Sequence, residues 1–228
     1  MALIPAGMPL RVVGDVHGDA RAFAFAVATA PDRFIVQLGD LTDGGPDSAG
    51  ALVIALALLK EGRGLFLLGN HERKLGRLLA GRAVKTDTAL RATAAQLDER
   101  LRGRALAAIA SAPAWLGCGG AFFVHAGFHT AMLHHAPPPF DAKPEGALSR
   151  ALFGEVARQR SPDAFPERVL HWVDRIPRGL TVYCGHDNRS SDGRPPTVRG
   201  ALGGEAVFLD TGAGKGGHLS WIDLPPCV

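Results

Sequence analysis

Leu10-Arg11-Val12-Val13-Gly14-Asp15-Val16-His17-Gly18 decides how this chain is read: a short apolar run stops at a glycine, and a carboxylate and an imidazole follow two positions apart. The same construction recurs where Phe34 to Leu38 meets Gly39-Asp40, and where Leu65 to Leu68 meets Gly69-Asn70. Apolar runs of this length, closed by a glycine and a polar residue, read as buried strands. Between them, Asp19 to Ala30 and Asp47 to Glu61 have helical character, with Asp19 and Asp47 as N-caps. Strand, helix, strand is the rhythm of a parallel sheet. Further runs are Ala121 to Val124 before His125, Leu180 to Cys184 before Gly185-His186, Ala206 to Leu209 before Asp210, and Leu219 to Leu224. The fold class is therefore α/β, with strands near both ends. Glu72 to Ala112 reads as mostly helical, and Phe128 to Pro177, broken by Pro137-Pro138-Pro139, as a loop and cap insertion.

Ligands of α/β sheets gather at the carboxyl ends of the strands. Here those ends present Asp15, Asp40, Asn70, His125 and His186, every one a hard or borderline metal ligand. In an extended segment residues two apart face the same side, so Asp15 and His17 can reach one ion together, with Gly14 and Gly18 allowing the backbone to turn around it. Carboxylate, imidazole and amide oxygen suit manganese, iron or zinc better than calcium. Each piece alone is ordinary, since Gly-Asp after a strand is commonly a capped turn. The ordered series Asp-x-His, Gly-Asp-x-x-Asp, Gly-Asn-His-Glu, His-Ala-Gly and Gly-His, each after an apolar run, is not.

These blocks, Gly14 to Gly18, Gly39 to Gly45, Gly69 to Glu72, His125-Ala126-Gly127 and Gly185-His186, resemble the signatures of the calcineurin-like metallophosphoesterases, within them the phosphoprotein-phosphatase branch. Asn70 to Leu75, Leu79 to Arg82 and Leu209-Asp210-Thr211-Gly212 are similar to bacterial members: the phosphatase module of polynucleotide kinase-phosphatase and the dinucleoside tetraphosphatases. The resemblance implies a β-sandwich flanked by helices and two metal ions, manganese first, with iron or zinc as alternatives. Asp15 and His17 would bind one ion, Asp40 would bridge, and Asn70, His125 and His186 would complete the second, the pair activating water against phosphorus. His71 would be the general acid, oriented by Asp43. The arginine that the family has right after the Asp of the second block, here Asp43, is absent, Gly44 standing in its place. A charge-assisted contact of roughly 1.5 to 3 kcal/mol goes with it, unless Arg73, Arg150 or Arg168 compensates.

The leading expectation is a hydrolase of phosphomonoesters, of the phosphoserine or phosphothreonine type. The alternatives are a hydrolase of dinucleoside tetraphosphates or of cyclic or terminal nucleotide phosphates, and a pseudoenzyme that binds phosphorylated partners. The substrate is thus a phosphoprotein or a nucleotide.

The 228 residues are 46% hydrophobic and 21% charged, the make-up of an ordinary globular chain, and one domain spanning 1–228 is expected. No stretch approaches the roughly 20 apolar residues of a bilayer span, and the N-terminus does not resemble a secretory signal, so the expected compartment is the cytoplasm. A formal charge of +3 with a single tyrosine offers no basic stripe with interleaved aromatics, and no stable nucleic-acid binding is expected. Three widely spaced cysteines, Cys118, Cys184 and Cys227, argue against a disulfide framework and a thiolate metal site.

Overall fold

The computed structural model describes residues 3–157 and 167–227; the remainder of the expected insertion, residues 158–166, lies outside them. Three parallel strands, β1 (Leu10–Val13), β2 (Phe34–Gln37) and β3 (Gly64–Phe66), alternate with helices α1 (Ala20–Ala28) and α2 (Ser48–Lys60). The Asp19 and Asp47 carboxylates cap these helices, accepting from Ala22 N at 3.0 Å and Gly50 N at 2.7 Å. Helices α3 (Asn70–Leu79), α4 (Thr88–Gln96) and α5 (Glu99–Ser111) fill the stretch expected to be helical. A second set of strands follows: β4 (Trp115–Cys118), β5 (Ala121–Val124), β6 (Thr181–Cys184), β7 (Thr197–Arg199) and β8 (Glu205–Phe208), with β9 (Trp221–Leu224) last. Among its described residues, the segment between β5 and β6 carries one helix, α6 (Gly146–Phe153), and two short 3-10 turns.

The strands form two sheets, ordered β3-β2-β1-β9 and β4-β5-β6-β8-β7. Alternation along each strand explains how they stack. Leu10, Val12, Phe34 and Val36 of one sheet share a core with Phe123, Tyr183 and Val207 of the other. Their neighbours Val13, Ile35, Val124, Val182 and Phe208 point outward and pack with helical residues such as Phe23, Leu52, Leu75 and Ile109. The result is a β-sandwich clad by helices, as expected. The parallel rhythm holds for β1 to β3 and for β5, β6 and β8, whereas β4, β7 and β9 are antiparallel edges. No helix among the described residues is long and apolar enough to cross a membrane.

The expectation about cysteines needs correction, because Cys118 and Cys227 form a disulfide, with Cα atoms 5.6 Å apart. They are 109 positions apart in sequence. Only the stacking of the two sheets brings the end of β4 against the segment after β9. Cys184 stays a free, buried thiol.

Arg11, 6% exposed on the outward face of β1, anchors the β9 edge. Opposite Asp223 in the ladder, it donates to both carboxylate oxygens at 2.7 and 2.8 Å, and to Ala26 O and Thr29 Oγ1. The hydrogen bond from Arg11 holds the Asp223 carboxyl below its ordinary value. A lowered folded-state pKa stabilises above the unfolded value near 3.9, and that stabilisation is lost as pH falls through the folded value. Asp223 is partly open to solvent, so we expect Asp223→Asn to cost about 1 kcal/mol at pH 7. Parent and variant should begin to converge below about pH 4 and meet only below the folded-state value. Thermal melts across pH 3 to 8 check this, and identical melting at pH 7 would discard the anchor.

Candidate functional site

Parallel register brings the carboxyl ends of β1, β2 and β3 to one rim, and β5 and β6 end at the same rim from the other sheet. Asp15 and His17 leave β1, Asp40 and Asp43 leave β2, Asn70 and His71 open α3, and His125 and His186 follow β5 and β6. Four non-glycine residues have positive φ among the described residues: His17 (46°), Asp40 (57°), Asp43 (70°) and His186 (65°). All four belong to this rim. Such backbone costs about 1 to 3 kcal/mol per residue and persists where its surroundings over-determine it. Here Val16 N and His17 N both donate to Asp40 O, at 3.0 and 2.8 Å. The Glu72 carboxylate accepts from Asp40 N at 2.6 Å and from Leu41 N at 2.8 Å.

The side chains converge on Asp40. Its Oδ2 lies 3.4 Å from His125 Nε2 and 3.8 Å from the Nε2 atoms of His17 and His71. His17 Nε2 is also 3.7 Å from Asp15 Oδ2, while His125 Nε2 is 3.0 Å from Asn70 Oδ1 and 3.1 Å from His186 Nδ1. The opposite nitrogens of two imidazoles are tied to backbone: His17 Nδ1 donates to Asp43 O at 3.0 Å and His125 Nδ1 to Leu38 O at 3.0 Å. That leaves both Nε2 atoms on the side of the carboxylates. A carbonyl behind each ring is the usual support of a metal-ligating histidine, and donor atoms 3.0 to 3.8 Å apart are near the edge lengths of a shell with roughly 2.0 to 2.2 Å bonds. Among the described residues, two groups could each hold an ion: His17, Asp40 and His71, and Asp40, His125 and His186.

The electrostatics agree with a cation site. Burial pushes the Asp15 carboxyl well above its ordinary value, with Asp210 and Asp40 adding to it. Asp40 is equally buried, yet the surrounding His125, His71 and His17 hold it well below. Burial is the largest single influence on His71 and His125 and opposes their protonation, but the carboxylates together outweigh it, Asp40, Asp43 and Glu72 at His71 and Asp40, Asp15 and Glu72 at His125, and each rises to about 9. Burial and His125 drive His186 down to about 2, and burial also lowers His17. Protons on His71 and His125 thus answer a buried negative centre, which is the demand a metal cation meets.

His71 Nδ1 sits 2.7 Å from Asp43 Oδ2. Asp43 is itself braced by Thr93 Oγ1 and by Ser48 Oγ, which accepts from Asp43 N at 3.0 Å. The structure therefore brings together Asp15, His17, Asp40, Asp43, Asn70, His71, His125 and His186. The arginines are elsewhere. Arg73 donates to Ala142 O at 2.8 Å, holding the insertion, and Arg150 pairs with Glu155 at 2.6 Å. Arg168 approaches Phe153 O at 3.4 Å and lies close enough for its charge to depress His186. Asp210 caps the turn at Gly212 N at 2.9 Å, as a strand-end aspartate commonly does. Sequence reasoning gave no role to Glu72, Thr93, Ser48 or Lys215. Glu72 alone left a signal, as an acidic residue beside a proposed ligand.

A family model described as calcineurin-like phosphoesterase matches residues 8–190. The asymmetrical bis(5'-nucleosyl)-tetraphosphatase PrpE of Geobacillus thermodenitrificans is 27% identical, over 96% of this chain and 91% of its own length. The symmetrical bis(5'-nucleosyl)-tetraphosphatase of Ralstonia nicotianae is 29% identical, over 96% of this chain and 75% of its own. Among solved structures, a protein proposed to be a diadenosine tetraphosphatase superposes with a TM-score of 0.65 at 21% identity, over 99% of this chain and 97% of that one. A serine/threonine phosphatase from Saccharomyces cerevisiae gives 0.62 at 14% identity, over 98% and 81%. At these identities the two structures speak for the fold alone.

Proposed function

The chain belongs to the calcineurin-like phosphoesterase family, and from that premise we propose that it is a nucleotide phosphohydrolase whose substrates are dinucleoside tetraphosphates. It is a hydrolase. The observation that carries the metal-dependent phosphoesterase chemistry is the Asp40 carboxylate oxygen set within 3.8 Å of three imidazole Nε2 atoms. We assign Asp15 and His17 to one ion, Asp40 to both, and Asn70, His125 and His186 to the other, with manganese the first choice and iron or zinc the alternatives. When bound, such a pair supplies Lewis acidity and lowers the pKa of water towards about 7.

The chain's own residues do the rest. His71 holds a proton on an imidazole hydrogen-bonded to Asp43 and delivers it from Nε2 to the departing oxygen, with Asp43 fixing the ring. Arg168, beside His186, is the arginine best located to meet phosphate on that side of the pocket.

The tetraphosphate reading draws on the likeness to the two tetraphosphatases and on Gly44, which leaves the site without the family's phosphate-gripping arginine. The phosphomonoester reading shares the same side chains. Turnover of p-nitrophenyl phosphate, its bis ester, diadenosine tetraphosphate, cyclic nucleotides and phosphopeptides, each after manganese, iron or zinc loading, separates them. Preference for diadenosine tetraphosphate supports the proposal, and preference for phosphopeptides overturns it. Tight phosphate binding without turnover in any metal would instead make this a binding protein.

The acid role has its own signature. His71→Asn should lower kcat by about 10²- to 10⁴-fold for substrates whose leaving group must be protonated. The loss should be much smaller for a second class, p-nitrophenyl phosphate and diadenosine tetraphosphate, whose p-nitrophenolate and nucleotide-phosphate leaving groups depart unprotonated. Equal losses for both would place His71 outside proton transfer.

A further inference from the structure

Gly44 has φ of 108°, and a Cβ built there would meet His17 Cβ at 3.5 Å and Gly214 O at 3.7 Å. The empty side-chain position therefore opens on the loop between Thr211 and His218, Thr-Gly-Ala-Gly-Lys-Gly-Gly-His. That loop lies directly on the metal-facing turn: a Cβ at Gly214 would fall 2.2 Å from His17 O and 2.9 Å from His17 Cβ. Only glycine allows this approach, and its neighbour Lys215 is the residue that profits. Lys215 Nζ reaches 2.7 Å from His17 Nε2. His17 itself is 1% exposed, whereas the lysine stem is open to solvent. An ammonium on a flexible four-carbon stem is thus delivered to His17, the residue that the empty position at Gly44 faces. Of the arginines considered above, Arg73 and Arg150 are held by Ala142 O and Glu155, and Arg168 stands by His186.

We propose that Lys215 is the phosphate-gripping cation of this site, supplied by the glycine-rich loop in place of the arginine absent at Gly44. The inference rests on the phosphoesterase reading above but not on which phosphate ester is the substrate. The His17 Nε2 lone pair cannot serve a metal and the ammonium at once. In the loaded protein Lys215 turns to the next acceptor in its reach, and in this pocket that acceptor is a phosphoryl oxygen. A lysine acts here as a point charge where an arginine would act as a two-pronged clamp, so it tolerates more than one phosphate geometry.

The test uses the full chain loaded with manganese, with metal content measured for each variant. Inorganic phosphate binding is read by calorimetry, and KM and kcat for the best substrate of the panel are read separately. Lys215→Ala should weaken phosphate binding and raise KM about tenfold, with metal content unchanged. Lys215→Arg should recover most of both. Raising the salt concentration should weaken phosphate binding in the parent more than in Lys215→Ala. Unchanged phosphate affinity and KM in a metal-replete Lys215→Ala overturn the inference. Loss of metal from that variant overturns it too, because Lys215 would then be supporting His17. If Lys215→Ala weakens phosphate binding while diadenosine tetraphosphate is not turned over by the parent, the substrate reading fails and the assignment of Lys215 stands.

Discussion

Asp40→Asn is expected to abolish turnover, by about a thousandfold or more in kcat, and to strip at least one of the two proposed ions. The two oxygens of Asp40 have separate duties. Oδ1 accepts from His71 N at 3.1 Å, and Oδ2 faces the Nε2 atoms of His17, His71 and His125. An amide has only one oxygen. If it keeps the bond to His71 N, its NH₂ group points a positive edge into a shell of electron-pair donors. If it turns over, the N–H at the start of α3 is left facing another donor. Either way the negative charge is gone, and with it the field that draws protons onto His71 and His125. Metal analysis of the purified variant, alongside turnover in excess manganese, iron or zinc, decides the matter. A variant that retains both ions and parental turnover would show that Asp40 does not join them.

The strands that build the rim were readable because their signal is local. Leu10–Val13 and Ala121–Val124 coincide with the expected runs, and β2, β3, β6 and β8 lie within a residue or two of theirs. An apolar stretch needs burial, and a glycine followed by a polar residue marks where the chain must turn at the sheet edge. Two strands left no such mark. β7 is a short, largely exposed edge, Thr-Val-Arg, and β4 contains Gly117. The convergence of the eight polar residues followed from the rule that sheet ends face one rim. Their supports did not. Thr93 lies 50 positions from the Asp43 it braces, and Lys215 lies 198 from His17. Cys118 and Cys227 meet only because two sheets stack. Nothing in the neighbourhood of any of these residues announces its partner, since each contact is made by the assembled fold.

Glu72 is the sharpest case, and the largest structural effect should come from removing it. In sequence it is an acid in the first turn of a helix, a common arrangement that favours the helix dipole. In the fold its side chain is fully buried, and its two oxygens accept from Asp40 N and Leu41 N. Burial and the nearby Asp40 charge push its carboxyl up to about 7, against the pull of His71, His125 and the Asp40 N–H. The position tolerates this because those donors sit in the turn where Asp40 takes its left-handed φ, so one carboxylate satisfies two N–H groups that neither helix nor sheet can reach. Glu72→Leu leaves both unsatisfied in the interior, at about 1 to 3 kcal/mol each. At roughly 2 to 4 °C per kcal/mol for a chain of this size, the melting temperature should fall by on the order of 10 °C. Relaxation of the turn should then carry Asp40 Oδ2 away from the histidines, so bound metal and turnover fall together even at temperatures where the variant is folded. Glu72→Gln should lie between, because its single oxygen can serve one N–H while its NH₂ confronts the other. Melting temperatures in the order parent, Gln, Leu, with metal content in the same order, are the expected result. A Leu variant that melts with the parent and keeps its metal would mean that the Asp40 turn holds its shape without the carboxylate behind it.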